Sequence, residues 1–194
     1  MAAARARRTE AVVVGTSAGG LDALRILLAG LPAGFRPPLL VVQHLPADGA
    51  EGLIPLLSEG CRLPVAEALD KQPLQAGTVT LAPANYHLLV EPARTLALSV
   101  DAPVHYARPA IDPLFESAAA VYGDGLLALV LTGANHDGSA GAAEVRRCGG
   151  RLWVQRPDTA YAPAMPAAAL ERAGADAVLE LDEMARWLAE EGAP

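Results

Sequence analysis

Three polar residues each stand just past an apolar run, and together they carry the groups needed for acyl transfer. Ser17 lies in Gly15-Thr16-Ser17-Ala18-Gly19, a G-x-S-x-G pattern behind the run Ala11–Val14. Between a strand and a helix, such a pattern turns the chain sharply and leaves the hydroxyl exposed above a sheet. Backbone N–H groups at the helix start could also hold an oxyanion there. His44, in Gln43-His44-Leu45-Pro46, follows the run Leu39–Gln43. Imidazole titrates near neutral pH, which makes histidine the usual base for a serine alcohol. Asp137, in Thr132-Gly133-Ala134-Asn135-His136-Asp137-Gly138, follows Leu126–Leu131, the most apolar run of the chain. Its carboxylate could orient an imidazole through the second ring nitrogen.

Each residue also has a plainer reading. Ser17 could cap a helix in a turn of small residues, and Asp137 could cap a helix beginning at Ser139. His44 could be hydrogen-bonded at a strand end. His136 is a rival base, disfavoured because neighbours in a tight loop usually point apart. His87 and His105 receive no role. The histidines pair with neither cysteine nor carboxylate at metal spacing, so no zinc site is expected. The turn at Ser17 lacks the G-K-[S/T] ending of a phosphate loop and the G-x-G-x-x-G spacing, so no nucleotide cofactor is expected either.

The elements around these residues follow from periodicity. Leu21–Leu31 has apolar residues at 21, 24, 27, 28 and 31 with Asp22 near its start, a helical pattern. Gly15–Gly20 is then a strand-to-helix turn. A second strand covers Leu39–Gln43, and a short helix is expected around Gly52–Ser58. Thr78–Ala82, Tyr86–Glu91 and Thr95–Val100 read as strands, the last two as an antiparallel hairpin. Asp112-Pro113 reads as an N-cap followed by proline in the first helical turn. Ser139–Cys148 is a helix closed by Gly149-Gly150. Leu152–Gln155 is a strand, Pro166–Ala173 a helix, Ala177–Leu179 a strand and Glu183–Glu190 a final helix. Alternating strands and helices give an α/β fold, a doubly wound and mostly parallel sheet with helices on both faces and a small antiparallel hairpin. In such sheets, ligands sit beyond the carboxyl ends of the strands, where all three polar residues fall.

Composition narrows the partners. The 194 residues are 52% apolar and poor in aromatics, which suits an aliphatic parallel core and one globular domain. That domain is expected over residues 11–194, behind a frayed tail at residues 1–10. A net charge of −7 without a basic stripe argues against nucleic acid. Two distant cysteines indicate no disulfide framework, and the start lacks the apolar core of a secretory signal. No apolar run reaches spanning length, so no membrane insertion is expected, and no pattern in the chain specifies an oligomeric state.

The chain resembles the catalytic domain of the chemotaxis protein-glutamate methylesterases, the CheB family. The likeness runs from about Ala11 to the C-terminal helix and keeps the family's segment order. Those segments are Gly15–Gly20, Gln43–Pro46, Ala82-Pro83-Ala84-Asn85-Tyr86-His87, Arg108-Pro109-Ala110-Ile111-Asp112, Leu131–Gly138 and Met165-Pro166. The resemblance implies a Ser17–His44–Asp137 triad, with backbone N–H groups at Ala18 and Ala134 holding the oxyanion. The implied substrate is a methylated glutamate on chemoreceptor cytoplasmic helices, in the cytoplasm, with receptor glutamine deamidation as a second use of the same chemistry. No cofactor is implied. Three departures stand out. The chain leaves no room for an N-terminal receiver domain, Ala18 replaces a threonine, and Ala134 replaces a methionine. A non-catalytic receptor-binding module of the same fold and a small-molecule serine esterase are the alternatives. The order Ser, His, Asp, with serine behind a single strand, sets the chain apart from ordinary α/β-hydrolases.

Overall fold

The computed structural model of the chain describes residues 8–45 and 52–192. Residues 1–7 of the expected tail, and Pro46 of the His44 segment, lie outside the described residues. Thr9 and Glu10 are held to the body of the protein. The Thr9 hydroxyl donates to Glu191 and accepts from Arg151, and the Glu10 N–H donates to the Gly125 carbonyl.

The first strand, β1 (Ala11–Thr16), is followed by α1 (Gly20–Ala29), β2 (Leu39–Gln43) and the short α2 (Leu53–Ser58). Next come β3 (Val65–Glu67), β4 (Val79–Leu81) and the pair β5 (His87–Val90) and β6 (Leu96–Ser99). The remainder is α3 (Ile111–Tyr122), β7 (Leu126–Val130), α4 (Ser139–Arg147), β8 (Arg151–Gln155), α5 (Ala164–Ala173), β9 (Ala177–Leu179) and α6 (Leu181–Glu191). Seven strands form one parallel sheet in the order β3-β4-β2-β1-β7-β8-β9, and β5 pairs antiparallel with β6. The doubly wound sheet and the hairpin match the expected class.

Two details differ from the expectation. Strand β1 keeps its ladder through Gly15 and Thr16, so the turn begins at Ser17 rather than at Gly15. Strand β3 was not expected. It is a three-residue edge strand whose residues are partly or fully exposed, so it has no buried face to leave a periodic signal.

The topology fixes where the site must be. From β1 the sheet grows through β2 and β4 in one direction, and from β7 through β8 and β9 in the other. Right-handed crossovers then put the connecting helices on opposite faces. The core divides accordingly. Val12, Val14 and Leu129 pack with α1 and α6 residues such as Leu24, Leu27 and Leu188. Val13, Ala128 and Val130 pack with Ile111, Phe115, Ala142 and Ala169 from α3, α4 and α5. Every residue of β1 and β7 is buried, as central strands covered on both faces require. The reversal between β1 and β7 opens a gap at the strands' carboxyl ends, because the loops there lead to opposite faces.

Helices α3 and α4 pack unusually close, and Gly141 is the reason. A Cβ on Gly141 would lie 2.6 Å from the Phe115 Cβ and 3.2 Å from the Asp112 Cα. Phe115 is fully buried and cannot retreat. Gly141→Ala is therefore expected to force the helices apart and cost about 1–3 kcal/mol. Urea unfolding should show a lower midpoint at an unchanged slope.

Candidate active site

The three residues expected to do chemistry meet at the reversal between β1 and β7. The Ser17 Oγ lies 3.1 Å from the His44 Nδ1, and the His44 Nε2 lies 2.7 Å from the Asp137 Oδ2. An ionised carboxylate can only accept, so the ring hydrogen sits on Nε2 and is donated to Asp137. That leaves the Nδ1 lone pair to accept the Ser17 O–H. The ring is used in the opposite sense from serine proteases, where Nε2 faces the serine. The hydrogen-bond sequence is the same.

Strand geometry delivers the first two groups. Parallel pairing sets Thr16 opposite Gln43, so the next residues, Ser17 and His44, leave the sheet side by side. The turn after β1 is clamped from three sides. The Ser17 N–H donates to the Thr132 carbonyl at 2.9 Å, and the Thr16 hydroxyl donates to the same oxygen. The Gln43 side-chain amide donates to the carbonyls of both Ser17 and His44, each at 3.0 Å. The Thr132 hydroxyl donates to the Ala18 carbonyl, while the Thr132 N–H is held by the Gln155 side chain. Helix α1 is capped by Gly19 with no side-chain bond, so the Ser17 hydroxyl faces His44 rather than capping the helix.

Asp137 is fully buried, yet each of its oxygens has donors. Oδ2 accepts from His44 and from the Ile111 N–H at 2.7 Å. Oδ1 accepts from the Asp112 N–H at 3.1 Å and the Gly138 N–H at 2.8 Å. Ile111 and Asp112 open α3, so Asp137 sits on the positive end of that helix. Burial pushes the Asp137 carboxyl up, but the hydrogen bonds from His44, Ile111 and Asp112 and the His44 charge outweigh it, leaving the pKa below the ordinary value. Asp137 is therefore a helix cap as the plain reading held, but of α3 and not of α4.

Asp112 corrects another expectation. It does not cap its own helix. Its backbone lies in the first turn of α3, which Ala110 precedes without a side-chain cap. The Asp112 Oδ1 instead accepts the Gly141 N–H of α4 at 2.7 Å. The two aspartates thus cap each other's helix, and the close approach at Gly141 is what lets Asp112 reach. Burial pushes the Asp112 carboxyl up, helped by the Asp137 charge and opposed by the bonds from Gly141 and His105.

Sequence reasoning missed Asp112 and His105 as neighbours of the site. The His105 Nε2 lies 3.2 Å from the Asp112 Oδ2, and its ring meets the His136 ring edge-on at 4.3 Å. The quoted segment Arg108–Asp112 was the only signal pointing to this region. His136 is exposed and turned toward His105, and it is His44 that meets Ser17. The unassigned His87 is buried, with Nδ1 accepting the Ala110 N–H, so its ring supports the entry to α3. His105, Asp112 and Asp137 bring ligand atoms within 4.8 Å of one another. Three of their four carboxylate oxygens already accept N–H groups of the helix ends. A cation there would share those oxygens with the caps.

The Ser17 and Gly20 N–H groups are taken by the Thr132 and Ser17 carbonyls. Of the expected oxyanion positions, Ala18 follows Ser17 in the turn after β1 and Ala134 is exposed on the loop after β7, two residues beyond Thr132, whose hydroxyl donates to the Ala18 carbonyl. A cavity of about 640 Å³ lies at the opposite end of the sheet, bordered by Glu10, Arg36, Arg94 and Tyr122, and touches none of these residues.

The lowered pKa of Asp137 has a sign that can be tested. Its folded value lies below the unfolded one, so the stabilisation is complete above about pH 4 and is lost as pH falls through the folded value. Asp137→Asn is expected to cost about 1.5–3 kcal/mol at pH 7, the range for hydrogen bonds to a charged group. Urea unfolding of wild type and variant across pH should show that gap closing as the pH falls below about 4.

The family model described as CheB methylesterase matches residues 12–188. A Leptospira interrogans relative is 41% identical over 176 residues, covering 91% of this chain and 91% of that protein. An Anaeromyxobacter dehalogenans protein named protein-glutamate methylesterase/protein-glutamine glutaminase 2 is 42% identical over 190 residues, covering 97% of this chain and 55% of its own length. The crystal structure of the Thermotoga maritima CheB methylesterase catalytic domain superposes with a TM-score of 0.89 at 31% identity, covering 94% of this chain and 98% of that one. The match in sequence and in fold extends over almost the whole chain, and the chain belongs to the CheB methylesterase family.

Proposed function

We propose that this protein hydrolyses methyl esters of glutamate side chains on chemoreceptors, with Ser17 as nucleophile, His44 as base and Asp137 as the group that orients and balances the imidazole. The observation that carries this reading is the continuous hydrogen-bond line from Ser17 Oγ through His44 to the buried, ionised Asp137. The Ser17 oxygen attacks the ester carbonyl while His44 Nδ1 takes its proton. The tetrahedral oxyanion collapses, and the imidazolium returns the proton to the departing methanol. Water, deprotonated by the same nitrogen, then attacks the acyl-enzyme and frees Ser17 and the glutamate carboxylate. Asp137 stays ionised throughout, because the α3 end and His44 favour its charge.

The oxyanion is assigned to the backbone N–H groups of Ala18 and Ala134. Backbone donors do not depend on the residue type. The departures from threonine and methionine then leave the donors in place. The relatives' names pair methylesterase with glutaminase, and attack on a glutamine amide needs the same nucleophile with ammonia as the leaving group. We assign that second activity to the same serine. The site is assigned to cytoplasmic helices of the receptors. In the described residues no helix is long and apolar enough to cross a membrane.

Ser17→Ala is expected to lower methanol release from methylated receptor by roughly 10³-fold or more, with an unchanged unfolding midpoint. Glutamine deamidation should fall with it. A fluorophosphonate should label wild type at Ser17 and leave the variant untouched. Methanol release that survives the substitution would remove Ser17 from the mechanism.

A further inference from the structure

Two tyrosines stand in water on the active-site side of the sheet, each mounted on backbone that is firmly held. Tyr106 is fully exposed and Tyr161 is 82% exposed. Neither ring contributes to a core cluster, and neither sits on a loose loop.

Tyr106 lies at the tip of a tight turn closed by two hydrogen bonds, from Val104 N–H to the Ala107 carbonyl and from Ala107 N–H to the Val104 carbonyl. His105 and Tyr106 take φ values of 50° and 63° in succession. Residues with a Cβ avoid that region, so this turn persists only because its surroundings impose it. The surroundings are the site itself. His105 bonds Asp112 and meets the His136 ring, and the Arg108 guanidinium donates to the carbonyls of Val100 and Asp101. The turn is thereby fastened to the residue that caps α4 and to the neighbour of Asp137.

Tyr161 is mounted on the other side. Its side chain lies against Gly19, where an added Cβ would be 2.6 Å from the Tyr161 Cβ. Gly19 has φ 76°, so it turns the chain into α1 and leaves bare backbone for the ring to cover. The next residue, Ala162, donates its N–H to the Thr132 hydroxyl at 2.8 Å and accepts the Gly133 N–H at 3.0 Å. One tyrosine is thus fixed to the turn that carries Ser17, and the other to the loop pair around Asp137.

We propose that Tyr106 and Tyr161 are specificity-determining posts that grip the substrate polypeptide on the two sides of the glutamyl ester presented to Ser17. This rests on the methylesterase reading above. Tyrosine offers a large, rigid apolar face with a polar tip and loses little rotamer freedom on binding, which is why it concentrates in protein-recognition sites. A small ester carries no neighbouring residues to offer the two posts. An ester on a protein side chain brings neighbouring residues with it, and contacts to those residues supply the binding energy that holds the carbonyl in line.

The test separates binding from chemistry. On a Ser17→Ala background, binding of a methylated receptor cytoplasmic fragment is measured by fluorescence anisotropy with and without Tyr106→Ala and Tyr161→Ala. The paired tyrosine substitutions should weaken binding by roughly tenfold or more. With Ser17 present, the same pair should leave the fluorophosphonate labelling rate within about twofold, as expected for residues outside the reacting atoms. Unchanged binding would overturn the proposal. So would a labelling rate that falls along with binding, since the tyrosines would then be shaping the site rather than gripping substrate. Lost binding together with a wild type that fails to label would sustain the posts and refute the nucleophile assignment instead.

Discussion

The structure turns on a single buried charge. Asp137 has no solvent contact, and an ionised carboxylate in that position is strongly unfavourable unless other groups replace its hydration. Four donors do so: the His44 ring, the two opening amides of α3, and the amide of Gly138. Three of them are backbone groups that a helix end or a tight loop leaves without partners of their own. The charge therefore stabilises α3, and α3 stabilises the charge. His44 is the one donor in the set whose ring can also exchange a proton with a second partner, and that partner is Ser17.

Mutual capping extends this constraint to the neighbouring helix. Asp112 leaves the first turn of α3 and closes the first turn of α4, while Asp137, just ahead of α4, closes α3. The arrangement demands that the two helix starts lie side by side, and Gly141 permits it by presenting no side chain to Phe115. Placing two carboxylates this close is unfavourable, and the cost falls on Asp112, whose acid form is favoured by burial and by the charge of Asp137. The two pKa values are thereby driven apart. One carboxylate stays ionised beside His44, and that charge helps burial favour the acid form of the other.

Ser17 is secured by the opposite strategy. Ser17 and His44 remain partly exposed. Their positions are set by side-chain and backbone bonds beneath them. Thr132 is the hub: its carbonyl receives Ser17 and Thr16, its hydroxyl ties Ala18 to Ala162, and its N–H is fixed by Gln155. Gln43 holds the carbonyls of Ser17 and His44 together from below. The serine can thus be exposed without being mobile.

Much of this was legible in the chain. The apolar runs ending at residues 14, 43 and 131 specify buried parallel strands because such strands are apolar on both faces. Right-handed crossovers then bring their carboxyl ends together, so the convergence of Ser17, His44 and Asp137 followed from local pattern. What periodicity could not supply was anything dependent on distance across the fold. Asp112 looks like an ordinary cap because sequence shows a helix start but not a second helix start beside it. Strand β3 has no buried face to register, and the hub role of Thr132 exists only once residues 16, 18, 155 and 162 surround it. The sequence by itself determined the class of fold and the chemical groups. Tertiary structure decided which nitrogen of His44 faces the serine and which helix each aspartate caps, because hydrogen bonds are short and directional and their partners lie up to a hundred residues or more apart in the chain.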